Sequence, residues 1–350
     1  MPESGVTVSV EALAHFAEDI FLALGLPADE AALCADGLMQ SELRCLPGQM
    51  QGVSRLPVYR QRIEGQLVSV NVPFEILRES PTLALVDAHN GLGHVTSAKA
   101  MQLAVAKAKV CGQGTVVMRH ATHIGSAGNQ ARRALPANCI GLALSNAGPE
   151  MAPWGGTTPV LGTNPWAIAA PTNGPFPIVL DMAVTTAGKG MMQWLAREGC
   201  KMPLDWAITK DGRTTDDPAE AMDGTLLPIG GPKGYGLSLM TDVLTGVLGG
   251  AAFGVTPYSV PNSQDVGSMF IALDIEWFMP VTEFKARIDK FIADIKTSPL
   301  RPGFDAIYLP GEIEYLREQE KRQNGVQLDM PTTIALKQLA ADLNVRFPLT

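Results

Sequence analysis

Several signals are missing from this sequence, and each absence removes a class of function. No cluster of lysine or arginine occurs, and 27 basic against 35 acidic residues leave a net charge of −8. A nucleic-acid or anionic-membrane surface needs the opposite balance, so neither partner is expected. The five cysteines (Cys34, Cys45, Cys111, Cys139 and Cys200) are odd in number and contain no C-x-x-C pair, a pattern of reduced thiols in a cytoplasmic protein rather than of a disulfide framework. The first 16 residues lack a basic segment followed by a continuous apolar one, so no secretory leader is expected. The most membrane-like run, 237–255, is interrupted by Ser238, Thr241, Asp242, Thr245 and four glycines. It reads as a buried helix followed by a tight turn. No G-x-S-x-G string marks a nucleophilic serine, and no internal repeat is visible.

What is present suits an ordinary globular protein. With 46% apolar content, 350 residues suffice for a sizeable core in one elaborated α/β domain or in two to three domains. Residues 9–24 space Leu13, Phe16, Ala17, Ile20 and Leu24 at helical intervals, with Ser9 as N-cap and Gly25 as the stop. A second helix opens at Pro27, and a third runs through Tyr59 and Ile63 to Gly65. From about Val72 short apolar runs bounded by turns take over: 74–77, 82–87, 115–118, 139–145, 178–180 and 269–274 read as strands. Helices are expected over 97–110, 127–135, 281–296, 312–323 and 332–343, and a turn with a short strand over 300–311. The stretches 149–171 and 228–236 are dense in turn formers and read as an ordered irregular wall and a glycine-rich loop, the latter carrying Lys233.

Gly91-Leu92-Gly93 before a helix invites a dinucleotide-binding fingerprint, but the third small position is Thr96 and no β-α-β unit with an acidic ribose ligand follows. A plain turn and helix start is the reading adopted. The stretch 119–128 (RHATHIGSAG) lies between a strand and a helix, with Ser126 as N-cap, and places His123 on a loop pointing at a helix N-terminus. His120 and His123 have no further ligands at zinc-like spacing nearby, so no metal is assigned. Hydride transfer between a ketone and an alcohol needs a group titrating near neutral pH, a cation for a carboxylate and a cofactor pocket. His123, Arg55 and the glycine-rich loops with Lys233 supply one candidate for each. Arg55 follows a tight Pro47-Gly48 turn, where its planar fork can grip a carboxylate. Asp181, after a buried strand, can orient a histidine, meet a cofactor or act as a plain turn acceptor.

The strings HIGSAG (123–128), GTNP (162–165), LDMA (180–183), GPKGYG (231–236) with the helix after it, and LPG (309–311) occur in order over nearly the whole chain. On them the sequence resembles the malate/L-lactate dehydrogenase type 2 family, and the strings around Lys233 and at Pro302-Gly303-Phe304 are most like its ureidoglycolate members. The resemblance implies an α/β fold with a non-Rossmann cofactor domain on a largely antiparallel sheet at 73–230. It implies a helix-rich substrate and dimerisation domain from 1–72 plus 275–350, with a buried helix and connecting segment at 231–274. It further implies NAD or NADP as cofactor, a homodimer, and a small anionic 2-hydroxy or 2-oxo acid of malate, lactate, ureidoglycolate or sulfolactate type. By position His123 matches the family's acid/base histidine, with Asp181 beside it as a catalytic candidate. Asp181, Met182, Ala183, Lys233, Gly311, Glu312 and Ile313 match cofactor-binding positions, and Arg55 matches the arginine after the N-terminal Ser-His-Gly motif.

At that motif the chain departs. Residues 44–55 read RCLPGQMQGVSR, longer than the family pattern by two, with Met50 and Gln51 where serine and histidine stand. Gln51 can donate a hydrogen bond but cannot exchange a proton near neutral pH. Three outcomes are compatible with the departure: hydride transfer with His123 alone moving the proton, reduction of a cyclic imine carboxylate with Met50 and Gln51 shaping the substrate site, or a cofactor-binding relative without turnover.

Overall fold

A computed structural model describes residues 5–45 and 51–348. The chain starts with a short strand, β1 (Val6–Val8), then α1 (Val10–Ala23), α2 (Ala28–Arg44) and, after a 3-10 turn Val53–Arg55, α3 (Leu56–Glu64). Ser9 caps α1, its hydroxyl accepting from Ala12 N at 3.2 Å. The helical spacing then buries Leu13, Phe16, Ala17 and Ile20 on one face.

The sheet region follows with β2 (Glu75–Glu79), β3 (Leu83–Asp87), α4 (Gly93–Cys111), β4 (Gln113–Ala121), α5 (Ala127–Arg132), β5 (Cys139–Ser145), β6 (Trp166–Ala170) and β7 (Ile178–Met182). A satellite of α6 (Lys189–Arg197), β8 (Ala207–Ile208), α7 (Pro218–Met222) and β9 (Thr225–Leu226) has its own small core around Met192, Met202 and Leu226. Then come α8 (Pro232–Asp242), a π-helical stretch Val243–Val247, β10 (Val266–Asp274), α9 (Val281–Lys296), α10 (Glu312–Asn324), β11 (Val326–Leu328) and α11 (Met330–Asp342).

Seven strands form the main sheet in the order β2-β3-β4-β10-β5-β6-β7. Only β3 and β4 run parallel, joined by α4 as the crossover; the other neighbours are antiparallel. β10 is the central strand of this sheet. A second core joins the two ends of the chain: β11 pairs with β1, and Leu336 and Leu339 of α11 pack with Leu13, Phe16, Leu38 and Tyr59.

α4 lies close against the sheet because small residues face each other. A Cβ on Gly114 would sit 1.9 Å from the Ala104 carbonyl oxygen. Gly112 ends α4 in a left-handed conformation, φ 83°.

Four expectations are corrected. α4 starts at Gly93 rather than at 97, because Thr122 Oγ1 accepts from Gly93 N at 2.9 Å and satisfies the start of the helix. β6 lies inside the irregular wall, where turn formers on both sides hide five strand residues. Residues 300–311 contain no strand. The helix at 232–247 is inverted rather than buried: Ser238, Thr241, Asp242 and Thr245 point inward, while Leu237, Met240, Val243, Val247 and Leu248 are exposed. The inward polar groups are all partnered, Ser238 Oγ by Asn164 Nδ2 (2.9 Å), Thr241 Oγ1 by Trp166 Nε1 (2.7 Å) and Asp242 Oδ1 by Asn146 Nδ2 (2.9 Å), while the Thr245 hydroxyl donates to Thr241 O (2.7 Å). No helix among the described residues is long and apolar enough to cross a membrane.

Gly114→Ala is expected to destabilise the fold by about 1–3 kcal/mol, as overpacking does. A lowered urea midpoint with unchanged slope would confirm it, and an unchanged midpoint would refute the close approach of α4.

Candidate active site

The loop 122–126 leaves the sheet at the end of β4 and is held from several sides. Thr122 Oγ1 donates to Gly91 O at 2.8 Å, and His123 N donates to Gln264 Oε1 at 2.9 Å. Ser126 Oγ donates to Asp181 Oδ2 at 2.5 Å and accepts from Asn129 N at 3.4 Å, capping α5 as expected. One hydroxyl thus starts a helix and ties the histidine loop to β7.

Arg55, Tyr59 and Arg62 follow at i, i+4 and i+7, one face of the turn and helix that lead through α3. Tyr59 is wholly buried, its Oη 2.9 Å from His94 Nε2 and 3.4 Å from His123 Nδ1. Gly125 N also reaches His123 Nδ1, at 3.3 Å. Burial, then the positive charge of Arg55, then His94 and Arg62, hold His123 well below the ordinary histidine range. Burial likewise lowers His94 to about 3, helped by Arg133 and Arg55, and pushes the Tyr59 hydroxyl up to about 12. Burial also lowers Arg55, with neighbouring Arg62 acting in the same sense.

The far side of this loop is strained. Asn90, His120, Tyr258, Asn262 and Asp265 all take left-handed φ values between 47° and 64°. The first four are bonded, with Gln264, into one patch: Asn90 N to His120 O (2.7 Å), Asn90 Nδ2 to Asn262 O (3.2 Å), Tyr258 N to Gln264 O (3.0 Å) and Gln264 N to Asn90 Oδ1 (3.4 Å). Such conformations persist where the surroundings over-determine them, and here they hold Gln264 under the His123 amide. His120 turns to Asp87 (Nδ1 to Oδ2 2.9 Å), which Arg119 also contacts at 3.1 Å.

Asp181 opens onto a groove. Its narrow waist, about 50 Å³, is lined by Arg44, Ser126, Gly128, Arg132, Asp181 and Gly311 among others. A cleft of about 490 Å³ adjoins it through Gln40, Asn129 and Arg132, and one of about 680 Å³ through Ser41 and Cys45. Crowding by protein raises the Asp181 carboxyl, while the Ser126 and Gly128 hydrogen bonds oppose the rise. Burial, then the charge of Arg44, lowers Arg132 to about 10. A Cβ on Gly128 would lie 2.6 Å from Asp181 Oδ2, so only glycine leaves that carboxylate its place.

The sequence candidates fall into two neighbouring groups. His123 and Arg55 meet around Tyr59, and Asp181 joins them through Ser126. Met182 and Ala183 continue from β7 toward the start of α8, where Ile229 N bonds Val184 O (2.9 Å) and Gly234 N bonds Ile229 O (2.9 Å). Lys233 is exposed in the first turn of α8 rather than on a loop before it. Gly311 sits against β7, with Val179 N bonded to Pro310 O at 2.9 Å. The Glu312 carboxylate instead closes its own turn, taking Lys296 Nζ at 2.6 Å and Leu309 N at 2.8 Å, and Ile313 is exposed. Gln51 lines the 680 Å³ cleft, its Oε1 buried without a hydrogen-bond partner among the described residues. Met50 lies outside those residues.

Sequence reasoning missed Tyr59, Arg62, His94 and Gln264. The spacing of Tyr59 and Arg62 from Arg55 was a legible signal, whereas nothing in the loop sequence marks Gln264.

The malate/L-lactate dehydrogenase family model matches residues 8–337. An L-sulfolactate dehydrogenase of Methanocaldococcus jannaschii is 37% identical over 330 residues, 93% of this chain and 94% of its own length. A ureidoglycolate dehydrogenase (NAD(+)) of Escherichia coli is 28% identical, over 92% of each chain. The crystal structure of malate dehydrogenase from Entamoeba histolytica superposes with a TM-score of 0.95 at 31% identity, over 99% of this chain and 100% of that one. The ureidoglycolate dehydrogenase carries NAD(+) in its name, and a (2R)-3-sulfolactate dehydrogenase of Chromohalobacter salexigens, 30% identical over 89% of this chain, carries NADP(+).

The two histidines around Tyr59 should make stability acid-sensitive. Their native pKa values lie below the ~6.5 of an unfolded histidine, so the unfolded chain binds more protons in between. Their contribution is therefore complete above about pH 6.5 and falls away toward about 3 for His94. The raised carboxyls of Asp181, Asp242 and Glu150 act in the opposite sense, so the comparison is made against a variant. His94→Gln should take up to about one proton out of the pH dependence of urea unfolding below about pH 6.5; an identical dependence would refute the neutral, buried state of His94.

Proposed function

The chain belongs to the malate/L-lactate dehydrogenase family, and from that premise we propose how it works as an NAD(P)-dependent oxidoreductase of small 2-hydroxy and 2-oxo acids: His123 serves the substrate oxygen while Arg55 holds the carboxylate. The observation that carries this is the meeting of His123 and Arg55 around Tyr59, with Ser126 linking their loop to Asp181 and its groove.

The groove suits a dinucleotide. Arg132 offers positive charge to phosphates, whereas Arg44 beside it is paired with Glu318 at 2.8 Å; the Asp181 carboxylate can accept from ribose hydroxyls, and Gly128 and Gly311 leave room beside β7. Met182, Ala183 and Lys233 would continue the site toward α8, while Glu312 and Ile313 contribute at most backbone. A bound nicotinamide supplies or accepts the hydride. A cofactor held along the edge strand of a largely antiparallel sheet would be a non-Rossmann arrangement.

On the substrate side, Arg55 and Arg62 both bear on His123, and Arg62 Nη1 is buried without a hydrogen-bond partner among the described residues. A second cation favours substrates with a second anionic group, of malate or sulfolactate type, over lactate. Gln51, in the adjoining cleft, is left with a binding role, so the proton falls to His123. The exposed apolar face of α8 and its π-helical continuation supports a homodimer through that surface. Five free thiols fit the cytoplasm.

His123→Asn should lower kcat with a 2-oxo acid by about 10²–10⁴ while nicotinamide fluorescence still reports cofactor binding; unchanged turnover would remove the role. Arg62→Gln should raise KM for malate by about 10- to 100-fold, the value of a charged hydrogen bond, and leave KM for lactate nearly unchanged. Equal effects on both acids would refute the second anionic group.

A further inference from the structure

We propose that His94, acting through Tyr59, is a positioning residue that fixes His123 as the imidazole with its proton on Nε2, so that this N–H meets the substrate oxygen; the inference rests on the role given to His123 above.

The polarity follows from counting donors. Gly125 N–H can only donate, and it points at His123 Nδ1 from 3.3 Å, so Nδ1 is an acceptor. Tyr59 Oη reaches both rings and has one proton to give. Were that proton given to His94 Nε2, His94 would carry its own on Nδ1, which is buried and has no hydrogen-bond partner among the described residues. His123 would then have to donate from Nδ1 to Tyr59, against the Gly125 amide. The opposite order leaves only a lone pair unpartnered at His94 Nδ1, a lesser loss than a buried N–H. Protons therefore point from His94 Nε2 to Tyr59 and from Tyr59 to His123 Nδ1.

His94 has no freedom to reverse this order. Its ring fills space that two glycines leave open: a Cβ on Gly37 of α2 would lie 2.3 Å from Nδ1, and one on Gly125 would lie 2.3 Å from Cε1. Among the described residues, the ionisable groups facing the three rings are Arg55, Arg62, Arg133, Cys34 and Tyr258, with no carboxylate to draw His94 into the charged form.

In the reducing direction hydride adds to C2, the carbonyl π pair moves to oxygen, and oxygen takes the Nε2 proton. The hydrogen bonds from Tyr59 and Gly125 to Nδ1 support the charge left on the ring until solvent reprotonates Nε2. A neutral imidazole can polarise a carbonyl in this way.

Nitrogen NMR of isotope-labelled histidine side chains in the full chain, near pH 7, tests the order directly. Both His94 and His123 should be neutral with the proton on Nε2, and a proton on Nδ1 of either overturns the proposal without any variant. His94→Leu should shift His123 toward mixed tautomers and cut kcat by about 10- to 100-fold, part of the full acid/base contribution, while KM for the nicotinamide cofactor stays within about twofold. His94→Gln, whose amide N–H can still reach Tyr59, should return kcat to within about threefold of the parent. An unchanged His123 tautomer in His94→Leu overturns the proposal. Because the spectra need no turnover, the expected tautomers in a chain inert toward every 2-oxo acid would defeat the functional reading and uphold the tautomer assignment.

Discussion

The hydrogen bond from Ser126 to Asp181 is the joint on which this architecture turns. Its two ends come from opposite halves of the main sheet, the loop after β4 and the edge strand β7, with β10, β5 and β6 between them. A 2.5 Å contact to a carboxylate is a strong hydrogen bond. Because the same hydroxyl caps α5, the position of His123, the start of that helix and the lip of the groove are set together. Losing it would disturb all three rather than one.

The electrostatics around His123 are one-sided in a useful way. Burial and two guanidinium groups keep the imidazole neutral in the free protein. A carboxylate seated against Arg55 would offset part of that positive charge, while burial, the larger cause, would stay in place. The strained patch beneath Gln264 serves the same end mechanically, fixing the backbone amide of His123 before any substrate arrives.

Much of the fold was legible because local chemistry agreed with it. Ser9 and Ser126 cap the helices they were expected to cap, and Gly112 ends α4 in the conformation only glycine takes easily. The failures share one cause, tertiary partners invisible to local pattern. β6 is a strand because β5 and β7 flank it, not because WAIAA alternates strongly. The helix at 232–247 looked buried because its apolar residues are many, yet Asn146, Asn164 and Trp166, all distant in sequence, satisfy its polar side. His123, Arg55 and Asp181 could be named from sequence and family resemblance, whereas the contact of Tyr59 with His94 spans 35 residues and two helices and left no trace in spacing.

The place of β10 bears on how the chain is made. β4 and β5 are separated by only 17 residues, from 122 to 138, yet they never touch as neighbours; the strand between them is completed at residue 274. On a ribosome both strands would emerge with facing edges unpaired and wait for more than a third of the chain to follow. Open edges invite wrong pairing, with each other or with another chain. The nascent protein therefore passes through a stage at which its most interior strand is missing, and the slowest and most error-prone moment of its folding should be the insertion of that strand.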